Sequence, residues 1–146
     1  MHILILNGPN LNLLGVREPS VYGSESYAAL CRMIEEKCAR EGITCIVKQS
    51  NHEGVLVDEI QAALGVADGI VINPAAYTHT SVALLDAVKA VGLPTVEVHI
   101  SDLSKREAFR QISYIRSACI ATVSGKGLAG YLEAIELLCE YIRSHQ

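Results

Sequence analysis

Ile3-Leu-Ile-Leu-Asn-Gly-Pro-Asn10 sets the pattern of the chain: four aliphatic residues, then an abrupt change to Asn, Gly and Pro. An apolar run of strand length, stopped by turn formers, reads as a buried β-strand over residues 2–6. The same signal returns at residues 44–48, 69–73, 95–99 and 120–124. Between these runs lie amphipathic stretches at residues 25–40, 55–64, 81–91 and 128–144, with a shorter one near 105–110. Gly42 stands where the first helix must end, and Gly92-Leu-Pro94 separates the third helix from its following strand. Continuously apolar strands alternating with helices predict an α/β domain, a parallel sheet covered on both faces. Right-handed crossovers restrict this to doubly wound forms. Five strands favour the flavodoxin-like order 2-1-3-4-5, in one domain spanning residues 1–146.

Composition narrows the function. Of the 146 residues 50% are apolar, with no Trp, one Phe and six Tyr, so the core is aliphatic. A net charge of −4 without any block of Lys and Arg argues against nucleic acid or an anionic membrane as partner. The N-terminal apolar run lacks a basic flank and is too short to be a signal peptide or a membrane span, which predicts a cytoplasmic protein. Five cysteines without a C-x-x-C pair, two of them (Cys31 and Cys38) on one helical face, fit reduced core residues better than metal ligands.

In the predicted topology a ligand crevice opens at the carboxyl ends of strands 1 and 3. The first end continues into the long polar segment Asn7 to Gly23, and the second into Asn73-Pro-Ala-Ala-Tyr-Thr-His79. Strand 4, next in order, ends in Glu97-Val-His99. Asn10, Arg17, Tyr22, Asn73, His79, Glu97 and His99 therefore converge on one rim. Glu97 and His99 alternate along a strand and share a face, and a carboxylate beside an imidazole suits a general acid. His79 fits either the site or a capping loop before the helix near Ser81.

A phenol titrates near pH 10, so Tyr22 as a base needs a nearby cation, and Arg17 is the closest in sequence. Taken alone, Tyr22 fits a structural role better than a chemical one. Ile100-Ser-Asp-Leu-Ser-Lys-Arg-Glu107 reads as a strand end turning into a short helix. Its free N–H groups suit a carboxylate-bearing small molecule, with Arg110 in reach; capping by Ser101 or Asp102 is the alternative. The helix near 81–91 carries only two charges, Asp86 and Lys89, and its apolar residues cover more than one face. That predicts a homo-oligomeric interface, with Asp86 directed toward a neighbouring subunit.

The chain resembles the type II 3-dehydroquinate dehydratases. The matching stretches are Asn7-Gly-Pro-Asn-Leu-Asn-Leu-Leu-Gly15, Arg17-Glu-Pro19, Tyr22-Gly23, Gln49-Ser-Asn-His-Glu-Gly54, Thr78-His-Thr-Ser-Val-Ala83, Glu97-Val-His-Ile-Ser101 and Gly130-Tyr131. The resemblance implies reversible dehydration of 3-dehydroquinate to 3-dehydroshikimate through an enolate-like intermediate, without cofactor or metal. It implies Tyr22 as general base, Arg17 on a mobile lid favouring the tyrosinate, and Asn10 positioning a water near the enolate. His99, supported by Glu97, would assist loss of the hydroxyl. Asn73, His79, Arg110 and the Ile100-Ser101 backbone would hold the substrate, and Asp86 would reach in from the adjacent subunit of a trimer. Four trimers would form a dodecamer. The chain departs from the family pattern at Ala75, commonly Gly, at Asp102, commonly Asn, and around residues 116–121, where a usual Ser-Pro and a later Gly are replaced.

Overall fold

The computed structural model describes residues 1–16 and 18–146. Arg17, the expected tuner of Tyr22, lies outside the described residues. Among the described residues, β1 (His2–Asn7), β2 (Thr44–Gln49), β3 (Gly69–Asn73), β4 (Thr95–His99) and β5 (Ala121–Ser124) form one all-parallel sheet of order β2-β1-β3-β4-β5. This is the expected doubly wound order. The helices are α1 (Pro19–Tyr22), α2 (Tyr27–Arg40), α3 (Glu53–Ala62), α4 (Val82–Val91) and α5 (Ala129–Ser144).

Alternation along the strands divides the core. Ile3, Ile5, Val71, Val96, Val98 and Val123 pack on one face with Leu30, Ile34 and Cys38 of α2 and Ile135 and Leu138 of α5. Leu4, Leu6, Ile70 and Ile72 pack on the other with Leu56 and Ile60 of α3 and Leu84 and Val88 of α4. Both faces are thereby removed from water, which is why β1 and β3 are apolar between their end residues.

Local chemistry sets the helix ends. Ser26 accepts from Ala29 N–H at 3.1 Å and starts α2, and Ser81 accepts from Leu84 N–H at 3.0 Å and starts α4. Gly42 has φ 69°, the left-handed geometry expected of the residue that ends α2. The polar segment after Asn7 holds a 3-10 turn at Leu11–Leu13 and the single turn of α1, with Pro19 at a position where a missing N–H costs nothing. One expectation needs correction. No α-helix forms near 105–110; two 3-10 turns, Leu103–Lys105 and Ala108–Arg110, occupy that stretch. Asp102 and Glu107 lead those turns, and three residues are too few to carry a helical period.

Register places the polar strand ends together. Asn7 lies opposite Gln49 on one side and Asn73 on the other, and Glu97 lies opposite Thr122. Gly8 follows β1 so closely against Pro74 that any side chain there would collide with the Pro74 carbonyl. Its N–H donates to the Asn73 carbonyl at 2.8 Å, which draws the two loops together at the crevice.

Candidate active site

The strand ends open into a cleft lined by Asn10, Tyr22, Asn73, Ala75, His79, His99, Ile100, Ser101, Arg106 and Arg110, among others. Among its lining groups, His99 ends a strand in which every residue is buried. His99 Nε2 lies 2.6 Å from Glu97 Oε2, and an ionised carboxylate only accepts, so Nε2 carries the proton. The second ring nitrogen, Nδ1, is left for the cleft. Glu97 is fully buried and accepts three further bonds: Ser113 Oγ at 2.7 Å, Arg116 Nε at 3.0 Å and Thr122 Oγ1 at 3.1 Å. Burial alone would raise its pKa; the His99 bond and charge, joined by Ser113 and Arg116, overcome burial and hold it down at about 2.

A second buried network joins the ends of β1 and β3. Tyr131 of α5 is fully buried and donates to Asn7 Oδ1 at 2.7 Å, while accepting from Asn73 Nδ2 at 2.9 Å. Asn73 Oδ1 accepts from Ala75 N–H at 3.0 Å. That bond forms with Ala75 at φ 53°, a left-handed backbone that an L side chain seldom adopts. Asn7 Nδ2 reaches Tyr27 at 3.4 Å.

The remaining lining groups stand on short turns. Tyr22 ends α1 and is half-buried. Arg106 Nη1 donates to its hydroxyl at 3.3 Å and to Ser101 Oγ at 3.0 Å, and the guanidinium carbon stands 5.5 Å from the Tyr22 ring centre. Asn10 has φ 69° and donates its backbone N–H to Asn51 Oδ1 at 3.0 Å. His79 Nδ1 donates to the Ile112 carbonyl at 2.7 Å, turning Nε2 away as the unprotonated nitrogen of the neutral ring. Burial lowers its pKa, and the nearby His99 and Arg110 act in the same direction against the Ile112 bond. Arg110 is held by Glu107 at 2.7 Å.

Of the residues expected at the site, Asn10, Tyr22, Asn73, His79, His99, Ile100, Ser101 and Arg110 line the cleft. Glu97 does not line the cleft; it stands behind His99 and is hydrogen-bonded to it. Asp86 is exposed on α4 and does not line the cleft of its own chain. The expected row of free N–H groups after Ser101 is largely used up. Ser104 N–H donates to Asp102 Oδ1, Lys105 N–H to the Asp102 carbonyl and Arg106 N–H to the Leu103 carbonyl. Capping by Asp102 wins there, leaving the Arg110 and Arg106 guanidiniums as the cleft's cationic groups for an anion. Sequence reasoning missed Arg106, Ser113, Arg116, Thr122 and Tyr131. Among the described residues no cluster of His, Cys, Asp and Glu is placed to hold a metal ion.

The cleft thus joins a phenol touched by a guanidinium, an imidazole backed by a carboxylate, an oriented amide and a second arginine. Such a set can take a proton from carbon and return one to a leaving oxygen, while holding a small acid. Comparison with known proteins agrees in kind. A profile of the family described as Dehydroquinase class II matches residues 1–139. A 3-dehydroquinate dehydratase of Dinoroseobacter shibae is 51% identical over 136 residues, covering 93% of this chain and 91% of the relative. A catabolic 3-dehydroquinase of Phaeosphaeria nodorum is 52% identical over 141 residues, covering 97% and 93%. The crystal structure of a type II dehydroquinase from Butyrivibrio crossotus superposes with a TM-score of 0.94 at 49% identity, covering 95% of this chain and 97% of that one.

Proposed function

The chain belongs to the class II dehydroquinase family, and from that premise we propose that its cleft dehydrates 3-dehydroquinate to 3-dehydroshikimate with Tyr22 as base and His99 as acid. The observation that carries this reading is the pairing of two opposite proton-handling groups in one cleft, Tyr22 beside Arg106 and His99 backed by Glu97.

The steps follow from the reaction's needs. The ketone acidifies the neighbouring C–H, so a base near it and a site for enolate charge are the main requirements. Arg106 stands where it stabilises negative charge on the Tyr22 oxygen, a task that Arg17 would share. Tyr22 takes the proton, and electron density moves onto the ketone oxygen. Asn10 positions a water that donates to that enolate oxygen. His99, protonated on Nδ1 and steadied through Nε2 by Glu97, gives a proton to the departing hydroxyl as the enolate collapses to the enone. Asn73 and His79 hold the substrate hydroxyls, and Arg110 with the Ile100-Ser101 backbone holds its carboxylate. The reaction uses no cofactor.

Assembly belongs to the same proposal. Val82 of α4 is 51% exposed, and Phe109, Ile112 and Tyr114 beside the cleft are 65%, 55% and 38% exposed. A second copy covering these side chains would bring its own Asp86 to this site, and a dodecamer of four trimers would repeat that contact. No helix among the described residues is long and apolar enough to cross a membrane. We place the protein in the cytoplasm, in aromatic biosynthesis or quinate breakdown, as one catalytic domain.

The test is the rise of enone absorbance when 3-dehydroquinate is mixed with the purified, assembled protein. Catalysed conversion is expected; none across a wide pH range would refute the assignment.

A further inference from the structure

We propose that Tyr131, which does not line the cleft, is a positioning residue that keeps the Asn73 amide turned with its nitrogen toward the substrate. It rests on the dehydratase reading for the identity of that substrate, and on the hydrogen-bond inventory for the rest. Asn73 has two acceptor sites on oxygen and two hydrogens on nitrogen. Ala75 N–H can only donate, so the atom facing it at 3.0 Å is the Asn73 oxygen. The nitrogen therefore faces Tyr131, at 2.9 Å. Tyr131 has one hydroxyl hydrogen, and it goes to Asn7 Oδ1 at 2.7 Å, leaving the phenol oxygen as an acceptor toward Asn73. One Asn73 hydrogen is spent on that oxygen. The other remains for the cleft that Asn73 lines while being only 3% exposed.

The alternative orientation is closed from both sides. A flipped Asn73 would set its nitrogen against the Ala75 N–H, donor against donor, and its oxygen against a phenol whose hydrogen is already committed. The fault at the phenol would lie in a fully buried setting, where unmade bonds are most costly, and the one at Ala75 in a part-buried setting. Without the phenol oxygen, the Asn73 nitrogen loses the partner that fixes its angle, and the amide is tethered through Ala75 alone. Tyr131 and Asn7 thus supply, from α5 and β1, the second anchor of a substrate donor on β3. The Ala75 backbone at φ 53° supplies the first.

Tyr131→Phe removes only the hydroxyl. With 3-dehydroquinate as substrate, KM is expected to rise about tenfold while kcat changes by less than about threefold. In an Asn73→Ala background the same change is expected to leave KM within about twofold, because the donor it positions is gone. An unchanged KM in Tyr131→Phe, or an undiminished effect in the Asn73→Ala background, would overturn the inference even if thermal stability fell. Exchange of the Asn73 side-chain amide hydrogens, followed by nuclear magnetic resonance, reads the orientation without turnover. One hydrogen is expected to be protected in the native protein and to exchange at least about tenfold faster in Tyr131→Phe. Equal exchange would overturn the proposal, whereas inactivity of the native protein toward 3-dehydroquinate would remove the substrate assignment and leave the exchange result to decide. Should Tyr131→Phe fail to fold, Asn7→Ala removes the acceptor that commits the phenol hydrogen. The same KM change in a smaller degree is expected, and an unchanged KM counts against the inference.

Discussion

His99 and Tyr22 line the same cleft but are held in it by different means. His99 ends an entirely buried central strand, and the carboxylate behind it is bonded by four side chains from three segments of the chain. Tyr22 ends a helix of one turn, half-exposed, between Glu18 at φ 36° and Gly23 at φ 86°. The floor is set by the sheet and by saturated buried bonds. The rim is set by turn geometry and by an arginine that arrives from 84 residues away. In the proposed mechanism the acid, which must keep one orientation, sits on the buried strand end, and the base, which must meet and release a substrate, sits on the short, half-exposed turn.

Substitutions at the rim should therefore cost rate without stability, and those behind the floor should cost both. The largest effect is expected for Tyr22→Phe, a loss of about 10³-fold in kcat with substrate still bound and an unchanged thermal midpoint. A near-normal rate, or a large fall in stability, would break the contrast. Arg106→Ala is expected to lower kcat by about 10²-fold, again at unchanged stability, in steady-state assays and thermal unfolding. Rate loss confined to KM would mean that Arg106 serves the substrate and not Tyr22.

Glu97→Gln sharpens the other side. It leaves an imidazole and a guanidinium without their shared carboxylate, and a loss of about tenfold in kcat with about 3 kcal/mol of stability is expected. The pH dependence has a definite sign. The folded value of about 2 lies below the ordinary 4.5, so this group's stabilisation is complete above pH 4.5 and is lost as pH falls toward 2. Unfolding measured against pH should show that component in the native protein and lack it in Glu97→Gln. The smallest effect is expected for Arg116→Met: Arg116 is 45% exposed, so water takes over part of its role, and kcat should fall by only about two- to threefold. A loss as large as that of Glu97→Gln would make Arg116 an equal partner in the pair.

The two regions also differed in how far the sequence disclosed them. Apolar runs without alternation marked β1 and β3, because burial on both faces leaves a signature in every residue, and five strands alternating with helices gave the order. Glu97 and His99 were legible for another reason: two ionisable residues at period two on a strand share a face. The Asn10–Tyr22 segment was recognisable as a site, but its turns were not, since three or four residues hold no period. Arg106 was missed because it sits in a polar stretch read as a helix near 105–110, and nothing local pairs it with Tyr22. Tyr131 was hidden differently: inside α5 it follows the helical apolar pattern, and its hydroxyl finds Asn7 and Asn73 only in three dimensions. Thr122 is an ordinary strand residue until the β4–β5 register sets it opposite Glu97.

The central claim is a division of labour, the rim taking a proton from carbon and the floor giving one to the leaving oxygen. It is tested by incubating 3-dehydroquinate in deuterium oxide with Tyr22→Phe and with His99→Ala, and following both enone formation and deuterium uptake beside the ketone. His99→Ala is expected to exchange that hydrogen while forming little enone, and Tyr22→Phe to do neither. Continued exchange in Tyr22→Phe at the native rate would contradict the account.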